Sequence, residues 1–91
     1  MNRNPLRPSS TVRASVGDDG LVLLDLRGGL VLSANAVGGR IWKLIEQRRS
    51  RDDIAGQLVA DFAVDRDRAA RDVDRFVTDL LARGLVTEDA H

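Results

Sequence analysis

The residue types that could do chemistry in this chain are carboxylates and guanidinium groups, and their spacing points to capping and pairing rather than to catalysis. Acidic pairs stand at Asp18/Asp19, Asp52/Asp53 and Asp65/Asp67. They fall in turns and at helix starts, where capping and the helix dipole already account for them. The chain has no cysteine, which removes disulfides, thiolate metal sites and cysteine nucleophiles together. Its only histidine, His91, is the last residue, where fraying leaves an imidazole unsupported as a base or zinc ligand. Gly28-Gly29 lacks the spacing of a phosphate loop. The sequence therefore predicts no enzyme: no catalytic residue, no cofactor site and no metal ligand.

Two other patterns carry more information. Arg68, Asp72, Arg75 and Asp79 fall at i, i+4, i+7 and i+11, one stripe of a helix beside its apolar face. Arg68/Asp72 and Arg75/Asp79 are either i,i+4 pairs on a solvated surface or the polar wall of a groove. The second pattern is the apolar run Leu30-Val31-Leu32-Ser33-Ala34. It lacks the lysine, proline or other charge that normally protects an exposed strand edge. Such an edge is either covered, by the protein itself or by a second copy, or used to bind an extended peptide by strand addition.

The elements that must position these residues follow from periodicity. Residues 1–10, with Pro5 and Pro8, read as a flexible tail. Thr11–Val16 alternates at period two and reads as a strand. Gly17-Asp18-Asp19-Gly20 supplies a hairpin turn, with glycine expected to take the positive φ of a tight turn. Leu21–Leu26 is almost continuously apolar, as suits a central strand covered on both faces or flanked on both edges. After Arg27-Gly28-Gly29 comes the third strand, Leu30–Ala34. Short turns pair these strands in chain order and leave the first and third at the edges. The first carries Arg13.

Asn35 is placed to cap a helix running to about Gln47, with Val37, Ile41, Leu44 and Ile45 on one face. Gly38-Gly39 costs this helix about 1 kcal/mol per glycine relative to alanine; the glycines are either required by close approach of another segment or merely tolerated. Trp42 is read first as a core anchor. Ser50 caps a second helix with a buried stripe of Ile54, Ala55, Leu58, Val59 and Phe62. Asp65 caps a third, with Ala69, Val73, Phe76, Val77 and Leu80 on its apolar face; Phe76 suits either the core or the floor of a groove. Gly84 stands where a left-handed helix terminus belongs, and Leu85–Thr87 allows a short last strand. Strands followed by helices indicate an α+β fold, a three-stranded antiparallel sheet followed by three helices. One domain over residues 11–88 is expected, with residues 89–91 a second tail.

Composition agrees with a small globular domain: 91 residues, 43% hydrophobic and 31% charged. A core of this size leaves little room for a deep substrate pocket. Fourteen basic and fourteen acidic residues cancel, so nothing favours a polyanionic partner. A DNA-binding winged helix is the rival from another class. However, the helix Arg66–Arg83 sets its arginines against Asp67, Asp72, Asp74 and Asp79 and so lacks a basic stripe. No signal peptide and no membrane span is evident, which gives the cytoplasm as the expected location.

Taken in order, Asp19-Gly20, Asp25, the turn glycine and third strand, Asn35 with Gly38 and Ile41-Trp42, Ile54 and Leu58, then Asp72, Phe76, Leu80 and Gly84-Leu85 resemble PqqD-like proteins. These are recognition elements for precursor peptides of ribosomally synthesised, post-translationally modified natural products. The resemblance spans about residues 11–88. The chain departs from many members in having Ala34 rather than leucine before the asparagine and no aromatic in the third strand.

The resemblance implies a winged-helix-like fold and a non-catalytic role. The leader of a precursor peptide would add as a strand to the third strand, in the cleft facing the third helix, for delivery to a modifying enzyme. That partner would be a leader peptidase in lasso-peptide pathways, or a radical S-adenosylmethionine enzyme in pyrroloquinoline quinone and sactipeptide pathways. The Asn35–Trp42 helix start looks more like the stand-alone lasso-type proteins. The peptide-binding residues so expected are Leu30, Val31, Leu32 and Ser33 on the strand, and Asp72, Arg75, Phe76 and Asp79 on the helix. Leu30 to Leu32 and Phe76 would form pockets, while the three charged residues would set orientation. A monomer is expected, with an edge-paired or swapped dimer as the alternative. Either face of the third strand could meet the ligand's side chains.

Overall fold

A computed structural model of the protein describes residues 5–88, with the side chain of Leu30 outside the described set. Five strands and three helices follow one another as β1 (Leu6–Pro8), β2 (Val12–Gly17), β3 (Gly20–Asp25), β4 (Leu30–Asn35), α1 (Ala36–Glu46), α2 (Arg51–Phe62), α3 (Arg66–Ala82) and β5 (Val86–Glu88). The main sheet is antiparallel in the order β2-β3-β4. The helices cover one of its faces, giving the α+β arrangement that the strand and helix blocks imply.

β3 is flanked on both edges but covered on only one face. Its inward residues Leu21 and Leu23 are buried, while Val22 on the outer face is 48% exposed. The inner rows are completed by Leu32 and Ala34 of β4, which pack against a core built from Ile41, Trp42, Leu44 and Ile45 of α1 and from Ile54, Leu58, Val73, Val77 and Leu80 of α2 and α3. Trp42 is buried, and its indole N–H donates to Glu46 Oε2 at 3.0 Å, which satisfies the ring's one polar atom. Phe62 departs from the expected stripe of α2: it lies at the last turn and is exposed.

The helix starts follow from their caps. Asn35 Oδ1 accepts from the Gly38 amide, Ser50 Oγ from Asp53, and Asp65 Oδ1 from Arg68, at 3.1, 3.0 and 2.8 Å. Each satisfies an amide that the first helical turn leaves without a partner. Beyond α3, Gly84 takes φ +72°, the left-handed residue expected there.

Two expectations need correction. Residues 6–10 are not a tail. β1 pairs antiparallel with β5, Leu6 opposite Glu88 and Pro8 opposite Val86. Leu6 is only 1% exposed. Ser9 extends the pairing, its amide donating to Leu85 O at 3.0 Å and its hydroxyl to Gly84 O at 2.6 Å. Residues 1–4 and 89–91 lie outside the described residues. The second correction concerns Gly20, whose φ is not positive. A Cβ there would stand 2.6 Å from the carbonyl oxygen of Ala34, so the close passage of β4 is what requires glycine.

Candidate functional site

β4 is hydrogen-bonded to β3 and, among the described residues, to no other strand. The alternation of an antiparallel ladder fixes which of its backbone groups remain available. The amide of Leu26 donates to Thr11 O, so even-numbered residues of β3 direct their polar groups toward β2 and odd-numbered ones toward β4. In β4 the partners of those odd residues are Leu30, Leu32 and Ala34. The N–H and C=O groups of Val31 and Ser33 therefore point away from the sheet, along the free edge.

Beside this edge runs a groove of about 670 Å3. Ala34 and Asn35 form its β4 end, Gly38 and Ile41 its α1 floor, and Arg68, Asp72, Arg75, Phe76, Thr78 and Asp79 its α3 wall. It opens on the inner, helix-covered side of the sheet. A strand paired to β4 would send alternate side chains into it and the others to the open face. Which face meets a ligand is thus set by the position of α3.

Phe76 decides the shape of the floor. Its ring crosses over Gly38, where an added Cβ would lie 3.3 Å from Phe76 Cε1 and 2.6 Å from the Ala34 methyl group. Gly38 lets helix start, strand end and aromatic ring meet at this distance. Gly39 is different: its nearest neighbours, Gly20 O and Val16 Cγ1, would be 3.4 and 3.5 Å from a Cβ, ordinary contact distances.

The expected site residues divide into two sets. Asp72, Arg75, Phe76 and Asp79 come together on the groove wall. The side chains of the strand residues do not join them. Leu32 is buried at 8% exposure on the inner face, while Val31, 58% exposed, and Ser33 face outward on the open side of the sheet. Strand β4 reaches the groove with Ala34 and Asn35 instead. Val37, Gly38 and Ile41 were missed as lining residues, although their spacing on α1 places them on the face that turns toward α3. Arg68 was part of the charge stripe that the sequence displays.

Three of the four charges of the wall, Arg68, Asp72 and Asp79, are paired along the helix. Arg68 Nε lies 3.9 Å from Asp72 Oδ2, and Arg83 Nε 2.9 Å from Asp79 Oδ1. The alternative partner suggested by spacing, Arg75 for Asp79, is not realised. Acid-before-base order at i,i+4 agrees better with the helix dipole, and Asp79 has that order with Arg83 but not with Arg75.

At the far end of the sheet, Asp25 is a buried carboxylate on the inner face. The Arg27 amide donates to its Oδ1 at 3.0 Å, as does the Thr11 hydroxyl at 3.0 Å, and Asp25 O accepts from the Gly29 amide at 2.7 Å. The Arg27 amide foremost, then the Thr11 hydroxyl and the Arg27 charge, hold its pKa below the ordinary carboxylate value, against the opposing effect of burial. Asp25 thus fixes the β3–β4 turn and with it the start of the free edge.

Among the described residues there is no cluster of three or more His, Cys, Asp or Glu placed to hold a metal ion. No described helix is long and apolar enough to cross a membrane.

Residues 20–86 match the family described as coenzyme PQQ synthesis protein D (PqqD). No curated protein matches the chain. Among solved structures, TbiB1 in complex with the TbiA(beta) leader peptide is 33% identical, with a TM-score of 0.83 over 93% of this chain and 99% of that one. Lasso peptide synthetase B1 complexed with the leader peptide is 29% identical, with a TM-score of 0.81 over 90% and 96% of the two chains. The family match runs from the start of β3 into β5 and so takes in the free strand, the capped helix start and the groove wall: this chain belongs to the PqqD family.

Proposed function

We propose that the chain is a leader-peptide recognition protein of the lasso-peptide type. It binds the leader of a ribosomally made precursor peptide as an added strand on β4 and delivers it to a leader peptidase or another modifying enzyme. The observation that carries this reading is the unpaired edge of β4, lying beside a groove with an apolar floor and a charged wall. Both similar structures are complexes with leader peptides, which supports a ligand of the same kind here. The backbone of Val31 and Ser33 supplies the ladder, Phe76 and the Gly38 floor receive inward apolar side chains, and Asp72, Arg75 and Asp79 orient the strand. The backbone of Leu30 belongs to the β3 ladder, opposite Asp25, and Leu32 holds β4 onto the core. The protein contributes binding and presentation, with the covalent chemistry left to the partner enzyme.

Proline separates this reading from its alternatives. Val31→Pro and Ser33→Pro each remove an outward N–H and leave the β3–β4 ladder intact. Leu32→Pro removes an inward one and should unfold the strand. With labelled TbiA(beta) leader peptide and the leader of any precursor encoded beside this gene as probes, the first two variants are expected to keep their circular dichroism and to lose most binding. If both stay folded and bind as the parent does, strand addition is rejected. Duplex DNA serves as the control: binding that falls steeply with salt would favour the winged-helix rival.

A further inference from the structure

Resting on the reading of the groove as a peptide site, we propose that Arg75 selects an acidic side chain in the docked segment, so that the ligand is an acidic-apolar peptide rather than a purely apolar one. The wall carries two aspartates and two arginines, but they are not equally available. Asp72 is engaged by Arg68 and Asp79 by Arg83, from outside the groove lining. Arg75 lines the same groove and makes no ion pair or hydrogen bond among the described residues. A ligand therefore meets one uncompensated cation and two carboxylates already turned along the helix.

A strand laid between β4 and α3 strips water from that guanidinium. A ligand carboxylate restores the lost hydrogen bonds, and the planar fork of arginine suits it in a two-pronged geometry. A lysine at the same place would meet like charge in Arg75, and the two groove carboxylates are already partly neutralised by Arg68 and Arg83. Because inward-facing residues of a strand alternate, the spacing is constrained too. The apolar residue that covers the Phe76–Gly38 floor and the acidic residue that meets Arg75 are separated by an even number of positions.

The test is selection of displayed random dodecapeptides against the full chain, with folded V31P as the counter-target so that edge-dependent binders are retained. These are expected to carry Asp or Glu at an even spacing from an aliphatic or aromatic residue. Their affinity should fall roughly twofold to fivefold against R75Q, in line with a partly exposed charge pair, and further against R75E. Added salt should weaken binding to the parent but not to R75Q. Replacing the peptide's acid by lysine should recover binding to R75E.

Edge-dependent binders without an acidic preference, or binders equally tight on parent and R75E, overturn the role of Arg75 and leave strand addition standing. A selection that returns no edge-dependent binder removes both.

Discussion

At the residue scale, two adjacent glycines of α1 have different reasons to be there. An alanine at position 38 would regain about 1 kcal/mol of helix propensity, but its methyl would stand 2.6 Å from the Ala34 methyl and 3.3 Å from Phe76. Overpacking of this kind costs about 1–3 kcal/mol. Gly38→Ala is therefore expected to lower stability on balance, or to displace Phe76 and close the groove floor. Gly39→Ala meets only ordinary contacts and should be neutral or stabilising by up to about 1 kcal/mol. Thermal melts of the two variants, with a binding titration for each, check this. Equal effects would show that the helix start tolerates both glycines alike. Asp25 makes a second residue-scale prediction. Its pKa is lowered on folding, so its contribution is present above the unfolded-state value and is lost as pH falls through the folded-state value. Asp25→Asn should lower the melting temperature at neutral pH, and parent and variant should converge as the solution is acidified below the ordinary carboxylate range. A melting difference that persists unchanged in acid would assign the loss to packing instead of charge.

At the scale of elements, legibility followed the distance over which each signal acts. Asn35, Ser50 and Asp65 announce the three helix starts because a cap is a local matter between one side chain and an amide in the next turn. The order β2-β3-β4 was readable because short turns leave no other pairing. Elsewhere the sequence was silent or ambiguous. Asp79 could have paired with Arg75 or Arg83, and the choice decides which cation the groove retains. The edge strand was recognisable by its missing charges, yet alternation alone could not show that Leu32 belongs to the core and Val31 to the open face. That assignment needed α1 and α3 in place on one side of the sheet. The same geometry predicts a graded response across β4. Proline at position 31 or 33 acts on ligand binding, whereas proline at 32 acts on folding, because only alternate amides serve the β3 ladder. Hydrogen exchange offers a check without mutation: bound peptide should protect the amides of Val31 and Ser33 selectively, while that of Leu32 is slow in both states.

At the scale of the whole molecule, the domain is closed by its two ends. β1 and β5 form a separate antiparallel pair, and Leu6, Leu85 and Val86 enter the same core cluster as Trp42 and Leu80. This closure was the least readable part of the chain, since a three-residue strand that follows Pro5 and ends in Pro8 gives no periodicity and its partner lies at the opposite end. It adds apolar burial to a chain whose size leaves little stability to spare. Leu6→Ala removes a fully buried side chain and is expected to cost about 2–4 kcal/mol, a large part of the total for a domain of this length. Deleting residues 1–9 should cost more, because it also exposes β5 and removes the Ser9 bonds to Gly84 and Leu85. Neither change touches β4, α3 or the groove. In denaturant titrations the midpoint should therefore fall sharply for both variants, while leader affinity, measured where each remains folded, stays within about twofold of the parent because distant sites act nearly independently. If the deletion left the midpoint unchanged, β1 would be an appendage and the tail reading would be restored. A loss of affinity out of proportion to stability would instead show that the terminal sheet positions α3 against β4, and that the groove depends on both chain ends being held.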